Sequence, residues 1–154
     1  MRLTRAGEYA VRCVLHLARQ PRGSLVSRME IANRTDVPPP FLAKIAQQLA
    51  KAGIIEILQG ASGGYRLLKD AREITLLAVI EAIIGEISLN DCVGRPDSCG
   101  RSSCCTIHRV WNKANQQLRA TLAEANFADL AAEEECCMIT LPIKTSCPCS
   151  GTKK

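Results

Sequence analysis

The chain has 154 residues, 47% of them hydrophobic, 3% aromatic and 23% charged, which excludes a disordered or fibrous protein and leaves a small globular one with a core of Leu, Ile, Val and Ala. Residues 1–72 carry twelve Lys/Arg against five Asp/Glu, a net +7, and residues 73–154 carry eight against ten, a net −2; a basic first half points to a polyanion-binding module joined to something else. No stretch is apolar for long enough to span a bilayer, and the start, Met1–Arg5, lacks a signal-peptide layout, so a cytoplasmic protein is expected.

Residues 5–20 are predicted to form a helix, because Tyr9, Ala10, Cys13, Val14, Leu17 and Ala18 recur at spacings of three and four. Gln20-Pro21-Arg22-Gly23 ends it. Ser27 is placed to cap a short second helix, Arg28 to Arg34, with Glu30 in capping-box position. Asp36-Val37-Pro38-Pro39-Pro40 is a turn, since proline lacks the amide donor and restricts the residue before it. A third helix over residues 39–52 buries Leu42, Ile45, Ala46 and Leu49, and Gly53 stands where a helix-ending glycine belongs. Two apolar runs, 54–58 and 65–68, flank Gln59-Gly60-Ala61-Ser62-Gly63-Gly64, the pattern of a β-hairpin with a glycine-rich tip. Thr75 caps a further helix to about Ile84, apolar on most sides and therefore expected to be buried. Residues 90–105 break the pattern with Gly, Pro, Asp, Ser and four cysteines. Ser102 or Ser103 is expected to cap a long helix reaching about Ala125, with a near coiled-coil seam of Ile107, Val110, Trp111, Ala114, Leu118 and Leu122. Asn126 and Asp129 suit the start of a last short helix, and the chain beyond Glu135 reads as irregular.

These elements describe a mainly α fold with a small β-wing: a winged helix-turn-helix followed by a long C-terminal dimerisation helix. The third helix is then the one that enters a major groove of double-stranded DNA, with its N-terminal residues facing base edges. Its candidates are Pro40, Phe41, Lys44, Gln47 and Gln48. Glutamine pairs with adenine, lysine reaches a guanine edge or a phosphate, and Phe41 packs on a thymine methyl. Gln59 and Ser62 at the hairpin tip suit the minor groove or backbone, and Arg2, Arg5, Arg28 and Arg34 suit phosphates.

Nine cysteines in a reducing compartment argue for metal or redox chemistry over a disulfide scaffold. Cys92, Cys99, Cys104, Cys105 and His108 fall within seventeen residues, spaced Cys-x6-Cys-x5-Cys-x2-His through Cys105. Cys105 and His108, three apart at a helix start, share one face. Gly94, Pro96 and Gly100 let the intervening loop bend around a cofactor. Zinc accepts such a ligand set but usually shows tight Cys-x2-Cys knuckles, a disulfide switch needs two of the thiols, and an iron–sulfur cluster suits soft thiolates with wide spacing. Spacing alone leaves cluster and zinc open. Cys13 on an apolar helix face reads as core.

Three stretches together resemble the IscR/NsrR family of iron–sulfur transcriptional regulators: Met1-Arg2-Leu3-Thr4 with Gly7-Glu8-Tyr9-Ala10-Val11, the wing Gly60–Tyr65, and Cys92…Cys99…Cys105-Thr106-Ile107-His108-Arg109-Val110-Trp111. The resemblance covers about residues 1–130 and implies a homodimer crossed through the long helix. It also implies that Cys92, Cys99 and Cys105 are thiolate ligands of a two-iron two-sulfur cluster with His108 as the fourth, a four-iron four-sulfur cluster being the alternative. Cys104 departs from the pattern by standing beside Cys105, where either thiol suits the role. Glu8 is near a position where some relatives use an acidic ligand from the partner chain; a surface carboxylate is the simpler reading. Ala43 and Gln59 stand where IscR-type proteins carry charged contacts, so the operator sequence does not transfer.

The expectation is a DNA-binding regulator whose affinity is set by an iron–sulfur cluster sensing cluster supply, nitric oxide or redox state. A cluster-free regulator of the same superfamily, acting through thiols or a protein partner, is the rival within that class. A small iron–sulfur electron carrier is the rival outside it, and leaves the wing and the basic half unexplained. No enzyme and no small-molecule substrate are expected, since no nucleophile–base pair is evident and the glycine-rich tip lacks the Lys-Ser/Thr of a P-loop. Residues 1–72 read as the winged helix-turn-helix domain, 73–130 as the cluster loop and dimerisation helices, and 131–154 as a tail, expected to be flexible, holding Cys136, Cys137, Cys147 and Cys149.

Overall fold

The computed structural model describes residues 4–60 and 62–137. Arg2, Cys147 and Cys149 lie outside the described residues, as do the side chains of Cys136 and Cys137. The fold is mostly helical with one two-stranded antiparallel sheet.

Helix α1 (Arg5–Ala18) starts where Thr4 Oγ1 accepts the Gly7 N–H at 3.3 Å, and it buries Ala10, Cys13, Val14 and Leu17. Helix α2 (Arg28–Thr35) is capped by Ser27, which accepts the Glu30 N–H at 3.2 Å. It stops at Asp36, whose φ of 54° is left-handed. Helix α3 (Pro39–Lys51) has Pro39 at its first position, where a missing N–H costs nothing. It ends in a Schellman motif: Gly53 at φ 69° donates to Ala50 O and Ile54 to Leu49 O, both at 3.0 Å.

Strands β1 (Ile55–Leu58) and β2 (Gly64–Leu67) pair in the register Ile55–Leu67, Glu56–Arg66, Ile57–Tyr65 and Leu58–Gly64. The Glu56–Arg66 pair is also an ion pair, at 2.7 Å. Tyr65 forms an isolated bridge with Val26, with N–H···O bonds of 2.8 and 3.0 Å, which ties the wing to the segment entering α2. That approach explains Gly64, where a Cβ would sit 2.2 Å from Val26 O, and a second one within the hairpin explains Gly63, where a Cβ would sit 2.4 Å from Leu58 O.

Helix α4 (Leu76–Ile84) is capped by Thr75, as the sequence predicts, but buries only Val79 and Ile80. Its other apolar residues are half-buried or exposed, and Glu81 on the same helix pairs with Arg119. The cysteine segment contains a single helical turn, α5 (Asp91–Gly94), and a 3-10 turn at Pro96–Ser98. Helix α6 (Thr106–Glu124) then runs for 19 residues. Helix α7 (Phe127–Cys137) follows after two residues, with Asn126 Oδ1 accepting the Asp129 N–H at 3.0 Å. The α6–α7 junction returns to the body through Leu76 N–Ala125 O and Phe127 N–Ile74 O bonds of 2.8 and 3.0 Å. One apolar cluster therefore joins Val14 of α1, Ile31 of α2 and Leu49 of α3 to Val79 and Phe127.

The expected start of α6 needs correction. Its cap is Cys105, not Ser102 or Ser103, because the Ser102 hydroxyl donates to Pro96 O and Cys99 O at 2.8 and 2.9 Å. It serves the loop and does not face the helix N-terminus.

Candidate nucleic-acid interface and cysteine loop

Burial of Leu42, Ile45, Ala46 and Leu49 turns the opposite face of α3 outward, so Pro40, Phe41, Lys44, Gln47 and Gln48 are all exposed. Phe41, Lys44, Gln47, Gln48 and Lys51 border one shallow depression of about 520 Å³. Phe41 is held edge-on by Tyr9 of α1, with ring centroids 6.2 Å apart and planes 63° apart, yet remains 54% exposed. Sequence reasoning missed Lys51; its spacing of seven from Lys44, two helical turns, is the signal that finds it. Arg28, at the first position of α2, is exposed, and so are Gln59 and Ser62 on the wing. Burial raises the Tyr65 hydroxyl above its usual range, opposed by the nearby Arg28. The outward side of α3 thus offers amides, cations and one aromatic ring, the groups that read base edges and phosphates.

The cysteine loop is less assembled than its spacing suggests. Cys92 is half-buried on α5, Cys99 and Cys104 are exposed, and Cys105 is half-buried at the start of α6. All four are free thiols. The Cys105 Sγ accepts the His108 N–H at 3.4 Å. Cys99 and His108 border a common cleft of about 420 Å³ with Asp97, Ser102 and Ser103; Cys92, Cys104 and Cys105 do not line it. Among the described residues, no three Cys, His, Asp or Glu side chains converge closely enough to hold a metal ion. The donor chemistry nevertheless suits a soft metal centre. His108 Nδ1 is buried without a hydrogen-bond partner, a costly state for an imidazole unless something else meets it. Glu8 is exposed in the first turn of α1. Cys13, by contrast, is fully buried, and burial pushes its thiol up to about 12, which fits its reading as core.

The sequence profile of the Rrf2 family, described as an iron-dependent transcriptional regulator, matches residues 3–133. The chain belongs to the Rrf2 family. The HTH-type transcriptional regulator IscR of Vibrio atlanticus (strain LGP32) is 30% identical over 135 residues, which is 88% of this chain and 78% of that protein. The solved structure of T. potens IscR superposes with a TM-score of 0.72 at 23% identity, covering 92% of this chain and 94% of that one. CymR (YrzC), the global cysteine regulator of B. subtilis, gives 0.71 at 21% identity, covering 86% and 97%. At such identities the two structures establish the shared winged-helix fold. This Rrf2 protein is accordingly a DNA-binding transcriptional regulator, as its relatives are, and not an enzyme. Among its described residues no helix is long and apolar enough to cross a membrane.

Proposed function

We propose that this Rrf2 regulator binds its operator as a homodimer and that an iron–sulfur cluster in residues 91–108 sets its DNA affinity. The observation that carries the cluster reading is the buried, unpartnered His108 Nδ1 one turn from the Cys105 thiol. The family's description as iron-dependent and the IscR relatives point the same way. Cys92, Cys99 and Cys105 would hold a two-iron two-sulfur cluster, with His108 as fourth ligand and Cys104 or Glu8 as substitutes for one position. Such a cluster supplies one-electron redox chemistry and a target for oxidants and nitric oxide, and a histidine ligand raises its potential relative to all-cysteine ligation.

DNA reading is assigned to Pro40, Phe41, Lys44, Gln47 and Gln48, with Gln59 and Ser62 on the wing and Arg2 and Arg28 on phosphates. Residues 1–72 form the DNA-reading unit, and residues 73–130 the sensing and dimerising one. The dimer reading is supported by α6, which leaves Ile107 63%, Val110 67% and Trp111 40% exposed along one seam. An apolar stripe on a long helix is stable in water when a second helix covers it.

A second reading, a cluster-free regulator acting through thiols, is favoured by the exposed Cys99 and Cys104 and by the spread of the loop's donors. The likeness to the cysteine regulator CymR is consistent with it. Anaerobic purification separates the two. Iron and acid-labile sulfide that disappear in Cys92→Ala support the cluster; a metal-free preparation with intact operator binding supports the thiol reading.

A further inference from the structure

The described part of α6 has one buried side chain, and it is polar: Asn115, 6% exposed. A buried amide is costly unless both its ends are paired, and here both are. Asn115 Oδ1 accepts the Leu89 N–H at 3.1 Å, and Nδ2 donates to Ile87 O at 3.3 Å. The side chain thus takes an acceptor and a donor two residues apart on one edge of the 85–90 segment, as a neighbouring strand would.

The same stripe of α6 holds that segment one turn to either side. Trp111 Nε1 donates to the side-chain oxygen of Asn90 at 3.1 Å, with the Asn90 amide turned so that both its ends are paired. Arg119 pairs with Glu81 of α4, and Glu81 Oε1 accepts the Ile87 N–H at 2.9 Å. Ile87 itself is 1% exposed. Residues 85–90 are the covalent link between α4, which packs on α1, and Cys92. Both ends of the cysteine loop therefore meet α6: the far end at the Cys105 cap, the near end at Asn115.

We infer that Asn115 is a positioning residue that couples the cysteine loop to the DNA-reading body. This rests on the proposal that the state of the loop sets DNA affinity, and adds which residue transmits it. Asn115 ties α6 to the 87–89 segment beside α4, and so helps to set how α6 seats on the body and the separation of two DNA-reading units joined through α6. A loop state that draws Cys92 away pulls on residues 87–89 and opens the two amide bonds. Reciprocally, a dimer geometry imposed by DNA favours one loop state, since coupling of two sites works in both directions.

The test measures operator affinity of the full chain before and after iron and sulfide are stripped with a chelator, in wild type and in Asn115→Leu. The wild-type ratio of the two affinities should fall in the range of about 5–150, the usual span of such coupling. In Asn115→Leu it should collapse to within about twofold of one, a loss that simple destabilisation of both states does not produce. A wild-type ratio kept in the variant overturns the role of Asn115 alone; a wild-type ratio of one overturns the underlying reading and this inference with it. Hydrogen exchange in the wild type keeps the question open to an answer if the variant does not fold. The Leu89 amide should lose protection about tenfold between the two loop states, one order of magnitude in its opening equilibrium, and unchanged protection overturns the coupling.

Discussion

The thiol of Cys105 and the backbone N–H of His108 form the N-cap of α6, at 3.4 Å. A residue proposed as an iron ligand is therefore also the residue that ends the loop and begins the dimer helix. Iron at Cys105 would share the sulfur that accepts from His108, since a coordinated thiolate keeps lone pairs for such a bond. Cys105→Ser keeps an oxygen acceptor at the cap, whereas Cys105→Ala removes it. The expected outcome is that both lose iron, while only the alanine variant loses helix stability, by about 0.5–1 kcal/mol. Thermal unfolding of the two metal-free variants checks this; equal stability would show that the cap contributes nothing.

The wing depends on the absence of a side chain at Gly64. With Val26 O only 2.2 Å from where a Cβ would stand, Gly64→Ala must push β2 off its bridge to Val26. Destabilisation of about 1–3 kcal/mol is expected, with DNA affinity reduced through a displaced wing tip. Denaturant unfolding gives the first number. A variant of wild-type stability would mean that the Val26–Tyr65 bridge is dispensable.

On α3, Lys44 and Gln48 should behave differently. Lys44→Ala should weaken binding to all sequences alike and lower the slope of log affinity against log salt by about 0.9. Gln48→Ala should leave that slope in place and cost about 1–3 kcal/mol on the cognate site only. Fluorescence anisotropy over a salt series, on operator and scrambled DNA, distinguishes them. Identical behaviour of the two variants would remove α3 as the base-reading element.

His16 is expected to make stability depend on pH. Its imidazole is held below the ordinary value of about 6.5, first by burial and further by Arg19 and Arg34, against the opposing pull of Glu30. The unfolded chain therefore binds a proton more readily than the folded one just below that value. Stability should be unaffected by this group above about pH 6.5 and should fall as pH drops through the window beneath it. His16→Gln should flatten that part of the profile. A slope unchanged in the variant would assign it to other groups.

Much of the body was legible because its signals are local. Ser27, Thr75 and Asn126 accept from backbone N–H groups as their positions predict, and Gly53 closes α3 at positive φ. What escaped is long-range or chemically atypical. Cysteine is a rare cap, and nothing in the sequence reveals that Ser102 turns toward Pro96 and Cys99. Gly63 and Gly64 read only as part of a glycine-rich hairpin tip, whereas a close approach from Leu58 and Val26 requires them. On α6 the apolar seam was visible, but the residue that faces the body is Asn115, indistinguishable by type from its solvated neighbours Asn112 and Gln116. The cysteine loop was legible as a motif and not as a geometry, since spacing states which donors are near in sequence and not how a short loop turns them.

We propose that metal in the cysteine loop governs DNA binding. This is tested most directly by assaying one anaerobic preparation for iron and sulfide and titrating it with operator DNA before and after chelation. About two iron and two sulfide per chain are expected, as in a two-iron two-sulfur centre, with an operator affinity that changes when they are removed. A preparation free of iron and sulfide that binds operator at full affinity, or a loaded one whose affinity survives stripping unchanged, would contradict it.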